Sequence, residues 1–271
     1  MIKSAVTISI VEQARRGPFV FHDDVAAGCR KAAASGFDAV ELFAPSAESI
    51  KALPLAALLQ EFDLTLAALG TGAGMVIHGL QLCDPDAARR MAAQDFVRAI
   101  IDAGAPFGAP AIIGSMQGRW DADNDKATAT QLLRDSLEML GNHAASQGVR
   151  LIYEPLNRYE TNLATTMEQG VTLLEPISNG NVVLLADLFH MNIEESNIAD
   201  AIRTAGQYVG HVHFVDSNRQ AAGRGHMNYA PIAQALNDIG YHGYASAEAF
   251  PTPDSETAAR QTIETFNAVF R

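Results

Sequence analysis

Short β-rich apolar runs alternate with longer alanine-rich stretches from one end of the chain to the other, and few folds accept that rhythm. The runs lie at 5–10, 39–43, 64–69, 111–113, 149–153, 182–186, 211–215 and 244–247. Helices are predicted over 24–35, 47–61, 85–103, 126–146, 166–177, 198–205, 231–239 and 255–270. Strand followed by helix, eight times over, is the pattern of a (β/α)8 barrel. An open doubly wound sheet usually has fewer strands and a Gly-rich phosphate turn after the first. Here the first strand runs into VEQARRGPFVF, with no GxGxxG. No linker, low-complexity stretch or solenoid-length repeat interrupts the chain. It therefore reads as one α/β domain, a (β/α)8 TIM barrel over residues 1–271.

Local signals fit the helices. Asp84 and Pro85 suit a helix start, and Gly36, Gly148 and Gly240 stand just past helical stretches, where a left-handed residue is wanted. Gly104 is expected to close a helix in the same way.

Composition narrows the function. Apolar residues make up 48% and charged residues 18%, enough for a core and too apolar for a disordered chain. No apolar run reaches the ~18 residues of a membrane span, and the start carries no signal-peptide pattern. Two cysteines, Cys29 and Cys83, are too few for a disulfide framework, so a cytoplasmic location is expected. A net charge of −12 repels phosphate backbones, which argues against nucleic-acid partners.

A barrel presents its chemistry at the carboxyl ends of its strands. There the sequence places Glu154 (LIYEPLNRYETN), Asp187 (VVLLADLFHMN), His211 and His213 (GHVHFVDSNR) and Glu248 (GYASAEAF), on four consecutive strands. Alone, Asp187 reads as a helix cap and His213 as a core histidine. As a set, Glu154, Asp187, His213 and Glu248 point to one divalent cation, because three carboxylates sharing a rim would otherwise repel one another. An oxygen-rich set with one imidazole suits Mn²⁺, Co²⁺ or Mg²⁺ better than structural zinc. His211 shares the parity of His213 and is expected one layer deeper. Arg158, Glu160, His190, Arg219, Arg224 and His226 stand in the nearby loops. GTGAG after the third strand and GSMQG after the fourth read as rim loops whose backbone can approach a ligand. Trp120 either covers the pocket or packs a helix.

These motifs resemble the xylose-isomerase-like barrels, in particular the D-tagatose 3-epimerase branch of the ketose 3-epimerases. With GTG after the third strand, they are similar to the 5-keto-L-gluconate epimerase-like members. The resemblance runs from GFDAVELF to the eighth strand. It implies a metal-dependent isomerase that epimerises C3 of a free ketose or keto-sugar acid through a cis-enediolate. It matches Glu154, Asp187, His213 and Glu248 to the metal ligands, and Glu154 and Glu248 to the acid/base pair, expected to face each other across the mouth. It matches His190 and Arg219 to groups around the substrate carbonyl and Glu160 to a substrate contact. Arg158, Arg219 and Arg224 are candidates for holding a sugar-acid carboxylate. Manganese is the expected cation, and a dimer or tetramer the expected assembly.

Three other functions share the architecture. An aldose–ketose isomerase of the hydroxypyruvate or xylose type would use the same cation between C1 and C2. A metal nuclease would need more histidine ligands and a basic groove. A non-catalytic sugar-binding barrel would need no glutamate pair.

Overall fold

The computed structural model describes residues 1–22 and 24–271. Nine strands form one parallel sheet: β1 (Lys3–Ser9), β2 (Phe21–His22), β3 (Ala39–Phe43), β4 (Thr65–Gly70), β5 (Ala111–Ile113), β6 (Leu151–Tyr153), β7 (Val182–Asp187), β8 (Val209–His213) and β9 (Tyr244–Ala247). β1 pairs with both β3 and β9, so eight of them close into the barrel the sequence predicts. β2 takes over the edge of β1 where β9 leaves it: Lys3–Val6 pair with β9, while Ile8 and Ser9 pair with β2. Thr7 Oγ1 bridges this hand-over, donating to the Ala247 carbonyl and accepting from the Val20 N–H. Glu248 thus follows β9 at the point where its chain departs from the wall.

The helices are α1 (Val25–Ser35), α2 (Ala47–Lys51), α3 (Leu55–Glu61), α4 (Ala73–His78), α5 (Ala87–Gly104), α6 (Lys126–Ser146), α7 (Met167–Leu174), α8 (Leu188–Glu194), α9 (Ile198–Ala205), α10 (Tyr229–Asp238) and α11 (Ser255–Phe270). The single helix expected over 47–61 is two, because Pro54 cannot continue a helix and instead opens α3. Two short helices, α4 and α8, lie in stretches where the sequence predicts no helix. The cap of α5 is Asp86, which accepts from the Ala88 and Arg89 N–H groups, while Asp84 accepts from Asp86 N–H one turn earlier. Gly36, Gly148 and Gly240 are left-handed as expected; Gly104 is not, and Gly108 supplies that turn instead. Among the described residues no helix is long and apolar enough to cross a membrane.

Alternation along each strand decides what faces the barrel interior. Val40, Leu42, Leu184, Ala186, Val212, Ala245 and Ala247 belong to the main core shared with the helices. Their alternates face inward. Ala68, Ile112, Ile152, Val183 and Leu185 form one inner cluster, and Ala5, Ala39 and Ala67 another. The same parity carries Glu41, Glu154, Asp187, His211, His213 and Glu248 to the inner face. Cys29 and Cys83 are buried free thiols, both pushed up to about 11 by burial.

Candidate active site

The four predicted cation ligands converge. One donor atom each from Glu154, Asp187, His213 and Glu248 lies within 4.8 Å of all the others. His213 Nδ1 is the hub, 3.1 Å from Asp187 Oδ2, 3.5 Å from Glu248 Oε2 and 3.6 Å from Glu154 Oε1. Glu154 and Asp187 are buried and Glu248 partly so. Glu154 and Glu248 come from staves three apart, with β7 and β8 between them, rather than facing across the mouth.

Asp187 is both things the sequence suggested. Its Oδ1 caps α8, accepting from Phe189 N–H at 2.8 Å and His190 N–H at 3.0 Å. Its Oδ2 is left to face His213. α8 in turn carries His190 to the site. Asn157 N–H donates to His190 Nδ1 at 3.3 Å, while Arg219, which can only donate, lies 3.3 Å from His190 Nε2. That nitrogen points at Glu154 Oε1, 3.7 Å away.

Arg219 adopts a left-handed backbone (φ 59°), a conformation a residue with a Cβ holds only when its surroundings insist. Asp216 supplies that insistence. Its carboxylate accepts from the N–H groups of Ser217, Gly223 and Met227 and from Tyr229 OH, tying down both arms of the loop. Arg219 then donates to Glu248 and lies over the Phe189 ring at 4.8 Å, with Glu160 at 3.6 Å. Gly114 matters for space: a Cβ there would stand 2.6 Å from Glu154 Oε2.

The electrostatics are those of crowded acids. Burial, with Glu154 and Asp187 nearby, outweighs the pull of His213 and Arg219 and pushes Glu248 up to about 7. Burial alone would lower His213, but Glu248, Glu41, the hydrogen bond to Asp187 and the nearby Glu154 hold it well above the usual imidazole range. Asp187 resists its burial and stays well below the carboxylate range, held there by His190, Arg219 and His213. Glu154 Oε1 is buried with no hydrogen-bond partner among the described residues. An orphaned carboxylate oxygen beside two further acids and one imidazole nitrogen fits a divalent cation, which would give all four groups a common partner.

The cluster opens on a cavity of about 360 Å³, walled in part by Phe19 stacked on Phe43 at 4.7 Å. His190, Arg219 and Glu160 line it, as do Gly70, Thr71, Gly72, Gly114 and Ser115 of the two rim loops. Arg158 does not: it is exposed and donates to Glu194, which holds it away from the cavity. Arg224 and His226 also stand outside; His226 pairs with Ser217. Trp120 donates to the Asn162 carbonyl and forms no part of the wall. The wall also includes Arg16 and Glu41, two charged residues that the sequence analysis does not single out. Arg16 follows β1 in an anomalous excursion with no motif to mark it. Glu41 did carry a signal, a charged residue at an inward position of the apolar strand AVELF.

A model of the xylose isomerase-like TIM barrel family matches residues 29–269. D-psicose 3-epimerase of Ruminiclostridium cellulolyticum is 34% identical over 229 residues, 81% of this chain and 76% of that protein. D-psicose 3-epimerase of Agrobacterium fabrum is 32% identical over 241 residues, 88% of this chain and 80% of that protein. The crystal structure of D-psicose 3-epimerase with D-tagatose from Clostridium cellulolyticum superposes with a TM-score of 0.83 at 25% identity, covering 100% of both chains. With that fold and those relatives, the chain belongs to the xylose isomerase-like TIM barrel family, among its sugar epimerases.

Proposed function

We propose that the protein epimerises C3 of a free ketose by moving a proton between two carboxylates. The observation that carries this reading is the pairing of Glu154 and Glu248. Both line the same cavity, each about equally close to the same His213 nitrogen. A carbon acid next to a carbonyl needs a base on one face and an acid on the other. Each glutamate turns one oxygen toward His213, leaving Glu154 Oε2 and Glu248 Oε1 to carry the proton. In one direction Glu154 takes it from C3 and Glu248 returns one to the opposite face; in reverse they exchange roles. His190 and Arg219, side by side at 3.3 Å, stabilise the substrate oxygen that gains charge. Arg219 fixes Glu248 in place, and the Phe19–Phe43 wall excludes water from one side of the cavity. Glu154, Asp187, His213 and Glu248 would hold a divalent cation, manganese in preference to cobalt or magnesium, which would supply Lewis-acid stabilisation of the enediolate charge.

The test is solvent exchange. With Mn²⁺ present, D-psicose, D-fructose, D-tagatose and L-ribulose are incubated in D₂O, and carbon-bound deuterium is located by NMR. Deuterium at C3, with the C3 epimer as product, is expected. Label at C1 or C2 with an aldose product would favour the aldose–ketose isomerase instead, and no exchange on any ketose would leave only a binding barrel.

One observation favours a keto-sugar acid within this reading. Besides Arg219, Arg16 is the only arginine on the described cavity wall, and it is exposed with no ion pair among the described residues. A guanidinium so placed suits a planar carboxylate. A hydrogen bond to a charged group contributes ~1.5–3 kcal/mol. Arg16→Gln is therefore expected to lower the ratio of kcat/KM for a keto-hexonate over a neutral ketohexose by roughly 10–100-fold. An unchanged ratio would remove the sugar-acid variant.

A further inference from the structure

Behind the cation cluster lies a second group of potential ligands, Glu41, His211 and His213, also within 4.8 Å of one another. The two groups share His213. Its imidazole is buried and uses both nitrogens: Nδ1 faces Asp187, Glu154 and Glu248, and Nε2 lies 3.2 Å from Glu41 Oε1. The other oxygen of Glu41 lies 2.8 Å from His211 Nε2. β3 carries the carboxylate and β8 both imidazoles, so the contact crosses the barrel interior, with β1 and β9 between the two staves.

We infer that Glu41, gripped by His211, is the positioning residue that presents His213 Nδ1 to the cation, and that this rear group supports one cation site instead of forming a second. The inference rests on reading Glu154, Asp187, His213 and Glu248 as that site.

A carboxylate only accepts hydrogen bonds, so its two contacts place a proton on Nε2 of each histidine. Asp187 at 3.1 Å likewise gives His213 Nδ1 a proton in the cation-free protein; once a cation displaces that one, Glu41 keeps the proton on Nε2 and Nδ1 offers its lone pair. Glu41 also fixes the ring plane, since an imidazole held at Nε2 cannot swing Nδ1 away from the three acids. His211 matters because Glu41 is 5% exposed, too buried for water to satisfy its second oxygen. Without that donor the carboxylate would be free to rotate off His213. A carboxylate behind a ligating histidine both orients the ring and raises its basicity. A second cation in the rear group would require both Nε2 protons to leave and His213 to bridge two cations through both nitrogens. The hydrogen-bond distances to Glu41 already account for those protons. Simple space filling is a poor explanation for Glu41, because burying a carboxylate costs several kcal/mol before its partners offset it, and an apolar side chain would fill the same volume.

The wild-type protein gives the first arm of the test. It is labelled with ¹⁵N in its imidazoles and loaded with ¹¹³Cd²⁺. One cadmium per chain is expected, coupled to His213 Nδ1, with a protonated His213 Nε2. Cadmium coupled to His213 Nε2, or a second cadmium on His211, overturns the inference. The second arm compares Glu41→Gln and Glu41→Met by Mn²⁺ titration, with free Mn²⁺ read by electron paramagnetic resonance. Both should weaken Mn²⁺ binding by roughly 10–100-fold, the methionine no less than the glutamine although it packs as well. A methionine variant that binds Mn²⁺ like wild type makes Glu41 a filler and sinks the proposal. If the variants fail to fold, the cadmium spectrum alone decides. Wild-type protein that takes up neither cation refutes the site reading itself, and the support role with it, a result distinct from a site that binds normally without Glu41.

Discussion

Glu154→Gln and Glu248→Gln are each expected to lower epimer interconversion by at least ~10³-fold while the barrel still folds. Proton transfer by a positioned side chain contributes ~10²–10⁴-fold, and each substitution also replaces a cation-facing carboxylate with a weaker amide donor. The two variants should fail differently. In the proposed mechanism each glutamate serves one face of C3, so a variant missing one of them retains, at most, solvent exchange on the epimer whose proton faces the other. Incubating each variant with each epimer in D₂O and reading C3 by NMR gives four measurements. Residual exchange should fall on opposite epimers in the two variants. Equal residual exchange on both epimers, or interconversion within tenfold of wild type in either variant, would remove the two-carboxylate assignment. The arrangement of Arg219 adds an asymmetry. It donates to Glu248 and makes no hydrogen bond to Glu154, so Arg219→Gln should impair the half-reaction in which Glu248 is the base more than the other.

The strand ends were legible because a barrel converts two simple regularities into a location. Period-two alternation selects the inward residue, and the end of the strand selects the rim. Glu154, Asp187, His213 and Glu248 satisfy both, so sequence position alone nearly fixed their convergence. His211 was placed correctly by the same parity, two residues deeper. What the sequence did not show depends on turns and on charges meeting across the fold. α8 hides behind Asp187, whose cap function and site function use different oxygens of one carboxylate. Reading the residue as one or the other concealed the helix that delivers His190. Arg158 sits four residues after Glu154 and was a reasonable candidate, but Glu194 at the end of α8 claims it. Nothing in linear order announces a partner 36 residues away. α4 was lost because GTGAGMVIHG, with four glycines, reads as a loop, although the segment packs tightly enough that a Cβ on Gly74 would meet Met116 at 2.6 Å. Arg16 belongs to an excursion anchored by Phe19 against Phe43, a contact no local pattern encodes.

Mn²⁺ affinity is expected to rise steeply with pH, by up to ~100-fold between pH 6 and 7, because the cation must displace protons that the empty cluster of acids retains. In the cation-free protein Glu248 is pushed up to about 7, first by burial and then by Glu154 and Asp187, and His213 is held well above its ordinary range by Glu248 and Glu41 against the effect of burial. Below about pH 7 both groups carry protons, and ligation needs Glu248 as a carboxylate and His213 Nδ1 bare. Two protons then leave for each cation bound; above pH 7 the number falls to one. The same shifts set the sign for the cation-free fold. Both groups have raised values in the folded state, so the stability they contribute is fully present only below their unfolded values, about 4.5 for Glu248 and 6.5 for His213. That contribution is lost as pH rises through the folded values. Glu41 and Asp187 are shifted the other way and change protonation only in strong acid, outside this window. Cation-free protein should therefore weaken from pH 5 to pH 8 as far as this site is concerned, while the Mn²⁺ complex strengthens. A 100-fold gain in affinity at saturating Mn²⁺ widens the gap between the complex and the cation-free protein by ~2.7 kcal/mol, or roughly 5–10 °C in the Tm difference for a domain of this size. Calorimetric titration in buffers of different ionisation enthalpy counts the released protons directly, and thermal unfolding with and without Mn²⁺ across pH 5–8 reads the diverging stabilities. Affinity that stays flat from pH 6 to 7 with no proton released would mean that Glu248 and His213 are not both ligands, because no cation can occupy those two groups without displacing what they hold.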